Sequence, residues 1–217
     1  MHKHTKNLQE FYDSTAETFS GTRQRIWPEF AHMADSVREY AGKRTTLRVL
    51  ELGCGDGRLL TYLKENTDIT YDYTGVDISY NLLQIANTNH PEARRVHHDM
   101  ISRCIQAQQE HYDIVIGVAS FHHVPTVRTR LLTLAGIYQS LVYGGRIIMT
   151  NWCYSTWFKK KFRREIQRAR VVSLLTLGYK SRNDIMVPWL TNERSLVARR
   201  LYHIFGQVEL TRLLQQT

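Results

Sequence analysis

The chain has 217 residues, 42% hydrophobic and 23% charged, with 29 Lys and Arg against 20 Asp and Glu and hence a net charge of +9. That length suits one domain able to bury roughly 70% of its unfolded surface, and ordinary apolar content with 12 Gly and 4 Pro excludes disordered and collagen-like chains. Cys54, Cys104 and Cys153 are far apart and lack CxxC spacing, which excludes a disulfide scaffold and predicts a reducing compartment and no bound metal. No apolar run reaches the roughly 18 residues that cross a bilayer, and the first residues, MHKHTKNLQE, lack a signal-peptide core. The expected location is the cytoplasm, with no membrane partner.

Residues 7–19 (NLQEFYDSTAETF) and 28–40 (PEFAHMADSVREY) predict two helices around the loop SGTRQRIW. Pro28 opens the second helix at a first-turn position where its missing N–H costs nothing. From Leu47, short apolar runs alternate with amphipathic stretches: RVLEL (48–52), YTGVDI (73–78), RRVHHD (94–99), YDIVIGVAS (112–120) and GRIIMTNW (145–152). This alternation predicts βαβ crossovers and a parallel sheet covered by helices. Residues 157–177 predict one basic amphipathic helix, 178–205 read as irregular, and 209–216 (ELTRLLQQ) predict a final short helix.

The charge is not spread evenly. Residues 151–205 hold twelve basic and three acidic side chains, leaving 17 basic and 17 acidic groups in the other 162 residues. The whole excess therefore belongs to one quarter of the chain.

The first strand runs into GCGDG, with Glu51 before Gly53, Gly55 and Gly57, and Asp77 ends the second strand twenty residues after Gly57. Glycines here permit a sharp turn and a close ligand approach. Flavin and nicotinamide enzymes share glycine-rich turns, but the GxGxG spacing with Glu51 and Asp77 resembles the S-adenosylmethionine turn of Rossmann-like methyltransferases. The resemblance implies that Asp77 holds the cofactor ribose and Asp99 lies by the adenine, with Val118 to Ser120 beside the methionine part. It brings Glu51, Gly53, Cys54, Gly55, Gly57, Asp77, Ile78, Asp99, Met100, Val118 and Ala119 to the cofactor. Asp99 has a second reading, as the N-cap of the next helix.

Four segments together resemble the tRNA wobble-uridine methyltransferases that esterify a 5-carboxymethyl group: FYDSTAETFSGTRQRIWPEF, ELGCGDGRLL, VASFHHV, and the pair DIMVPW and RRLYHIFGQVEL. The matching positions include Ser20, Thr22, Arg23, Trp27, Pro28, Arg58, His122, His123, Val187, Pro188, Trp189, Arg200, Tyr202, His203, Phe205, Glu209 and Leu210. Leu201 departs from the pattern, as do Gly206 and Gln207, and two further strands of a seven-stranded sheet are missing after Thr217. The implied fold is α/β, a Rossmann-like doubly wound and mostly parallel sheet of about five strands, truncated relative to seven, with a basic C-terminal lobe. Residues 1–46 would form N-terminal helices and a substrate-side loop, 47–152 the S-adenosylmethionine core, and 153–217 the basic substrate-binding lobe and terminal helix.

The implied reaction is in-line attack of a substrate carboxylate on the sulfonium methyl. A carboxylate is already ionised at neutral pH, so alignment and desolvation matter more than a general base. Arg23, Arg58 and Arg200 are candidates to hold the carboxylate, and His122, His123 and His203 to border the reacting groups. Each Arg also has a structural ion-pair reading. Adjacent histidines face apart and make poor metal ligands. Lys159, Lys160, Lys161, Arg163, Arg164 and Arg168 are candidates for the tRNA backbone. Trp189 and Tyr202 would either stack on an unpaired base or fill the lobe core. An uncovered fifth strand would be a pairing liability, so a small activator subunit, a second copy or the basic lobe is expected over it. Two rival functions stand beside tRNA methylation: methylation of a small carboxylic acid or metabolite, and a non-catalytic tRNA-binding scaffold.

Overall fold

A computed structural model describes residues 3–22, 26–106, 111–176, 181–190 and 196–217. The chain forms two compact units, Met1–Val118 with Leu132–Thr150, and Ala119–Leu131 with Asn151–Thr217.

The first unit is built on five parallel strands: β1 (Thr46–Leu52), β2 (Thr70–Asp77), β3 (Arg94–His97), β4 (Tyr112–Val118) and β5 (Leu141–Thr150). Their order is β3-β2-β1-β4-β5. This is the Rossmann-like doubly wound sheet expected from the alternating runs. Because β1 pairs with β2 on one side and β4 on the other, the winding reverses there. The carboxyl ends of these strands are where a ligand crevice forms in such sheets.

Helices α1 (Lys3–Gly21) and α2 (Glu29–Ala41) precede β1, and α3 (Arg58–Asn66), α4 (Tyr80–Asn89), α5 (Met100–Gln106) and α6 (Val127–Ser140) form the crossovers between successive strands. Period-two alternation sends Leu47 and Val49 of β1 to one face. There they join Phe30, Met33 and Val37 of α2, Leu59, Leu60 and Leu63 of α3, and Ile114 and Ile116 of β4 in one buried cluster. Gly75 on β2 is required by space, since a Cβ would stand 2.8 Å from Cys54 Sγ.

The second unit contains α7 (Thr156–Lys161), α8 (Arg163–Leu175), β6 (Asp184–Leu190), β7 (Leu196–His203) and α9 (Gln207–Gln215). Three sequence expectations change. The single basic helix is two, broken at Phe162, whose φ of −110° and ψ of 29° leave the helical region. Phe162 turns inward with Phe158 and Ile166 onto Ile185, Val187, Tyr202 and Ile204. The stretch read as irregular contains an antiparallel pair, with Ile185 opposite Tyr202, Val187 opposite Arg200 and Trp189 opposite Ala198. Pro188 and the charged Arg200 at an inward position hid the alternation. Pro188 is tolerated because a two-stranded sheet consists only of edges. The fifth strand starts at Leu141, four residues ahead of the expected Gly145, and ends at Thr150 rather than Trp152.

Leu63 is fully buried in the first unit's core. Leu63→Ala should cost about 3 kcal/mol through lost transfer energy and the cavity left behind, read as a lower urea midpoint with an unchanged slope.

Candidate functional site

At the end of β1 the chain turns through Gly53, Gly55 and Gly57 with φ of 77°, 54° and 81°. All three lie in the left-handed region that side chains avoid. A Cβ at Gly55 would meet nothing within 4 Å, so this glycine answers to backbone conformation and leaves open space over the turn. The turn is anchored sideways to β2: the N–H groups of Gly53 and Cys54 donate to Val76 O at 2.7 and 3.0 Å.

Asp77, at the end of β2, holds the next link. Its Oδ2 accepts from Gly55 N–H and its Oδ1 from Ser79 N–H, each at 2.8 Å. Burial raises its pKa to about 6, against the pull of the backbone N–H groups from Ser79, Gly55 and Ile78, with the Asp13 carboxylate adding to the rise. A carboxylate offers about four acceptor positions, of which the backbone N–H groups of Gly55, Ser79 and Ile78 engage some. The remainder suit a vicinal diol, and an open glycine turn beside a strand-end carboxylate fits an adenosyl ligand.

Glu51 lies deeper, 2% exposed, and accepts a hydrogen bond from Tyr73 Oη. Burial lifts its pKa to about 8, beyond what the Tyr73 bond recovers, so it is protonated at neutral pH. Its place is beneath the turn as a neutral brace.

Around the turn, Arg58 Nε and Nη2 bind Asp56 Oδ1 and Oδ2 at 2.8 and 2.6 Å. Ser20 Oγ donates to the same Oδ2 at 2.7 Å. Burial works against ionisation of Asp56, but Arg58 and Ser20 outweigh it and hold the pKa below the usual range. Arg58 thus engages a carboxylate of its own chain. Asp99 caps α5, its Oδ1 accepting from Ser102 N–H at 3.0 Å. Ile78 directly follows β2, Met100 is the first residue of α5, and Val118 ends β4. Arg23 lies outside the described residues.

In the second unit, Ala119 adopts φ 47°, a conformation costly for a side-chain-bearing residue and frequent at functional sites. It leads into a short 3-10 turn, Phe121–His123, with all three residues buried. The His122 ring centroid lies 4.2 Å from that of Tyr202 and 4.4 Å from that of His123. His123 Nδ1 lies 3.1 Å from Leu201 O, and Phe121 stacks on Phe205 at 5.5 Å. The guanidinium of Arg200, 5% exposed, lies 4.8 Å from the Trp189 ring and 5.0 Å from the Tyr202 ring. Tyr202 is 4% exposed in the lobe core. Of its two sequence readings it takes the packing one, and Trp189 is the less buried of the two rings.

His203 has a carboxylate at each ring nitrogen: Asp184 Oδ1 at 2.6 Å from Nδ1 and Glu209 Oε1 at 2.8 Å from Nε2. Arg130, 2% exposed, approaches the same two carboxylates at 3.6 and 3.8 Å. Burial opposes the charge on His203, yet the two hydrogen bonds prevail and raise its pKa. Glu209 is held low by His203 and Arg130 despite its burial. Sequence reasoning singled out His203 and Glu209 but missed Asp184 and Arg130, which no local pattern marks. It likewise missed Tyr73, Asp13 and Ser79.

Lys159, Lys160, Lys161, Arg163, Arg164 and Arg168 are all exposed on α7 and α8. Lys161 sits over the Trp157 ring at 4.6 Å. Among the described residues no group of three His, Cys, Asp or Glu side chains is placed to hold a metal ion, and no described helix is long and apolar enough to cross a membrane.

A methyltransferase-domain family model matches residues 50–147. The chain is 27% identical over 147 residues to an Arabidopsis thaliana tRNA (carboxymethyluridine(34)-5-O)-methyltransferase, covering 68% of this chain and 33% of that protein. It is 26% identical to an Encephalitozoon cuniculi protein named as a methyltransferase, covering 95% and 83% respectively. It thus spans a third of the plant relative and most of the microsporidian one. Among solved structures, a DhpI-SAM-HEP complex superposes with a TM-score of 0.67 at 17% identity, covering 99% of this chain and 89% of that one. A SAM-dependent methyltransferase from Methanosarcina mazei gives 0.65 at 18% identity, covering 88% and 83%.

Two stability profiles test the buried groups. A carboxyl whose pKa rises from 4.5 unfolded to about 8 folded binds more protons when folded, so its contribution is full below pH 4.5 and lost as pH climbs through 8. Glu51→Gln keeps an acceptor for Tyr73 and cannot ionise; its melting temperature should fall less than the wild type's between pH 5 and 8.5. The raised pKa of His203 has the same sign, its stabilisation full below about 6.5 and lost above its native value. His203→Gln should lower the melting temperature most at pH 6 and least at pH 9.

Proposed function

We propose that this chain, a Rossmann-like methyltransferase by its domain and fold, uses S-adenosylmethionine to methylate tRNA at a 5-carboxymethyl-type wobble uridine, forming the methyl ester. The observation that carries the tRNA assignment is the placement of the charge. The basic side chains of α7 and α8 project to solvent, whereas the glycine turn sits in the charge-balanced part of the chain. A row of exposed Lys and Arg suits a phosphate backbone. The Arabidopsis relative's name points to the same modification, and Arg200, His122 and His123 fall in segments matching that family's pattern.

S-adenosylmethionine, when bound, supplies a methyl group activated by its sulfonium. This chain's residues do the rest. Gly53, Gly55 and Gly57 with Asp77 hold the adenosyl part, and the protonated Glu51 supports the turn from below without adding a charge. The acceptor carboxylate is ionised at neutral pH, so the protein needs a cation and a dry, aligned setting rather than a base. Arg200, between two aromatic rings, has the planar fork that binds a carboxylate. Arg23 shares that assignment. His122 and His123 shape the turn after β4, and His203 braces the lobe from within its ion cluster.

Incubation with labelled S-adenosylmethionine and total tRNA should place label in one modified uridine, released as methanol by mild alkali. Label stable to alkali would exclude the ester, and label entering free carboxylic acids but not tRNA would favour metabolite methylation. Reversing Lys159, Lys160, Arg163 and Arg164 to Glu should abolish tRNA binding, measured by filter retention, while S-adenosylmethionine affinity stays unchanged. If about six basic contacts form, the logarithm of tRNA affinity should fall with that of salt with a slope of about −4 to −5.

A further inference from the structure

Helix α1 carries a set of polar side chains that the proposed chemistry does not use. Gln9, Asp13, Ala16 and Ser20 stand at i, i+4, i+7 and i+11, which is one helical face. Each polar member reaches a different loop at the carboxyl end of the sheet. The Gln9 amide lies 3.3 Å from Nε2 of His97, the last residue of β3. Asp13 Oδ1 accepts from Ser79 Oγ at 2.7 Å and from Asn81 N–H at 3.2 Å, and Asn81 Nδ2 donates back to Asp13 O at 2.9 Å. Both partners belong to the segment after β2 that opens α4. Ser20 Oγ donates to Asp56 Oδ2 in the glycine turn after β1.

The spacing matches the sheet. Eleven residues of helix from Gln9 to Ser20 rise about 16 Å, while β3 and β1, two strands apart, are separated by roughly 10 Å. The helix therefore crosses the strand ends obliquely, tied at all three. Buried Ala16, Phe11 and Thr15 supply apolar and steric contact along its length. Asp13 adds an electrostatic hold, since a carboxylate at the N-terminus of α4 meets exposed N–H groups and the positive end of the helix dipole.

We propose that α1 is a strap that retains the cofactor, with Asp13 and Ser20 as positioning residues that set how fast S-adenosylhomocysteine leaves. The inference rests on the cofactor reading of the glycine turn and Asp77. Neither residue is assigned to the reacting atoms. They act through Ser79, next to Asp77, and through Asp56, within the turn, so loosening the strap frees the two segments that grip the adenosyl part.

The test measures S-adenosylhomocysteine dissociation by stopped-flow fluorescence for the wild type, Asp13→Ala, Ser20→Ala and the double variant. Ser14→Ala, on the exposed side of α1, serves as control. Dissociation should quicken five- to ten-fold in each single variant and further in the double, with Ser14→Ala matching the wild type. Unchanged dissociation in Asp13→Ala and Ser20→Ala overturns the strap. Should Asp13→Ala fail to fold, hydrogen exchange on the wild type decides: slower exchange across residues 9–20 on adding S-adenosylhomocysteine supports the strap, and no protection there overturns it. A wild type that does not bind S-adenosylhomocysteine at all would instead overturn the cofactor reading.

Discussion

The buried carboxylate of Asp77 joins the glycine turn after β1 to the start of α4. One oxygen takes the Gly55 N–H from the turn after β1, and the other takes the Ser79 N–H at the start of α4. Backbone N–H groups of a strained turn need an acceptor when water is displaced, and a strand-end Asp supplies one without a flexible arm. Burial sets the cost, visible in the rise of the carboxyl pKa to about 6. Placing Glu51 and Asp56 nearby would make that cost prohibitive if all three were charged and unpaired. The chain resolves this in two ways. Glu51 is kept neutral by deep burial against Tyr73, and Asp56 is kept charged by the Arg58 fork.

The second unit solves a related problem with different means. The buried His203 and Arg130 face the half-buried Asp184 and Glu209, and the two carboxylates raise the His203 pKa against its burial, so the anions favour the charge that would balance them. Such clusters contribute little net stability compared with apolar packing, but breaking one partner leaves an uncompensated charge. Arg200 in the same unit is held between aromatic rings, where its charge meets the negative faces of the π systems.

Most of the first unit was legible in the sequence because its signals are local. Apolar runs such as YDIVIGV report a buried parallel strand, and GCGDG reports a turn whose φ values only glycine takes readily. The roles of Asp99 and Arg58 were less legible, since a cap and a ligand contact use the same residue types, and only geometry shows Asp99 on Ser102 and Arg58 on Asp56. The antiparallel pair in the second unit escaped notice because Arg200 and Pro188 occupy strand positions where apolar residues are expected. The Asp184–His203–Glu209 cluster escaped because its members lie on β6, at the end of β7 and on α9. Long-range pairing leaves no periodic trace.

Charge partition acquires a physical meaning once burial is added. A net charge of +9 confined to residues 151–205 could have been absorbed by internal pairing, and part of it is: Arg199 approaches Glu165 at 3.9 Å and Arg200 is enclosed by rings. What stays outside is the row on α7 and α8, where the break at Phe162 lets buried Phe158, Phe162 and Ile166 anchor two short helices rather than one. With Phe158, Phe162 and Ile166 as anchors, Lys159, Lys160, Arg163, Arg164 and Arg168 stand exposed, while Lys161 lies over the Trp157 ring. An exposed row of that kind is chemically suited to a polyanion, because each phosphate neutralised releases bound counterions.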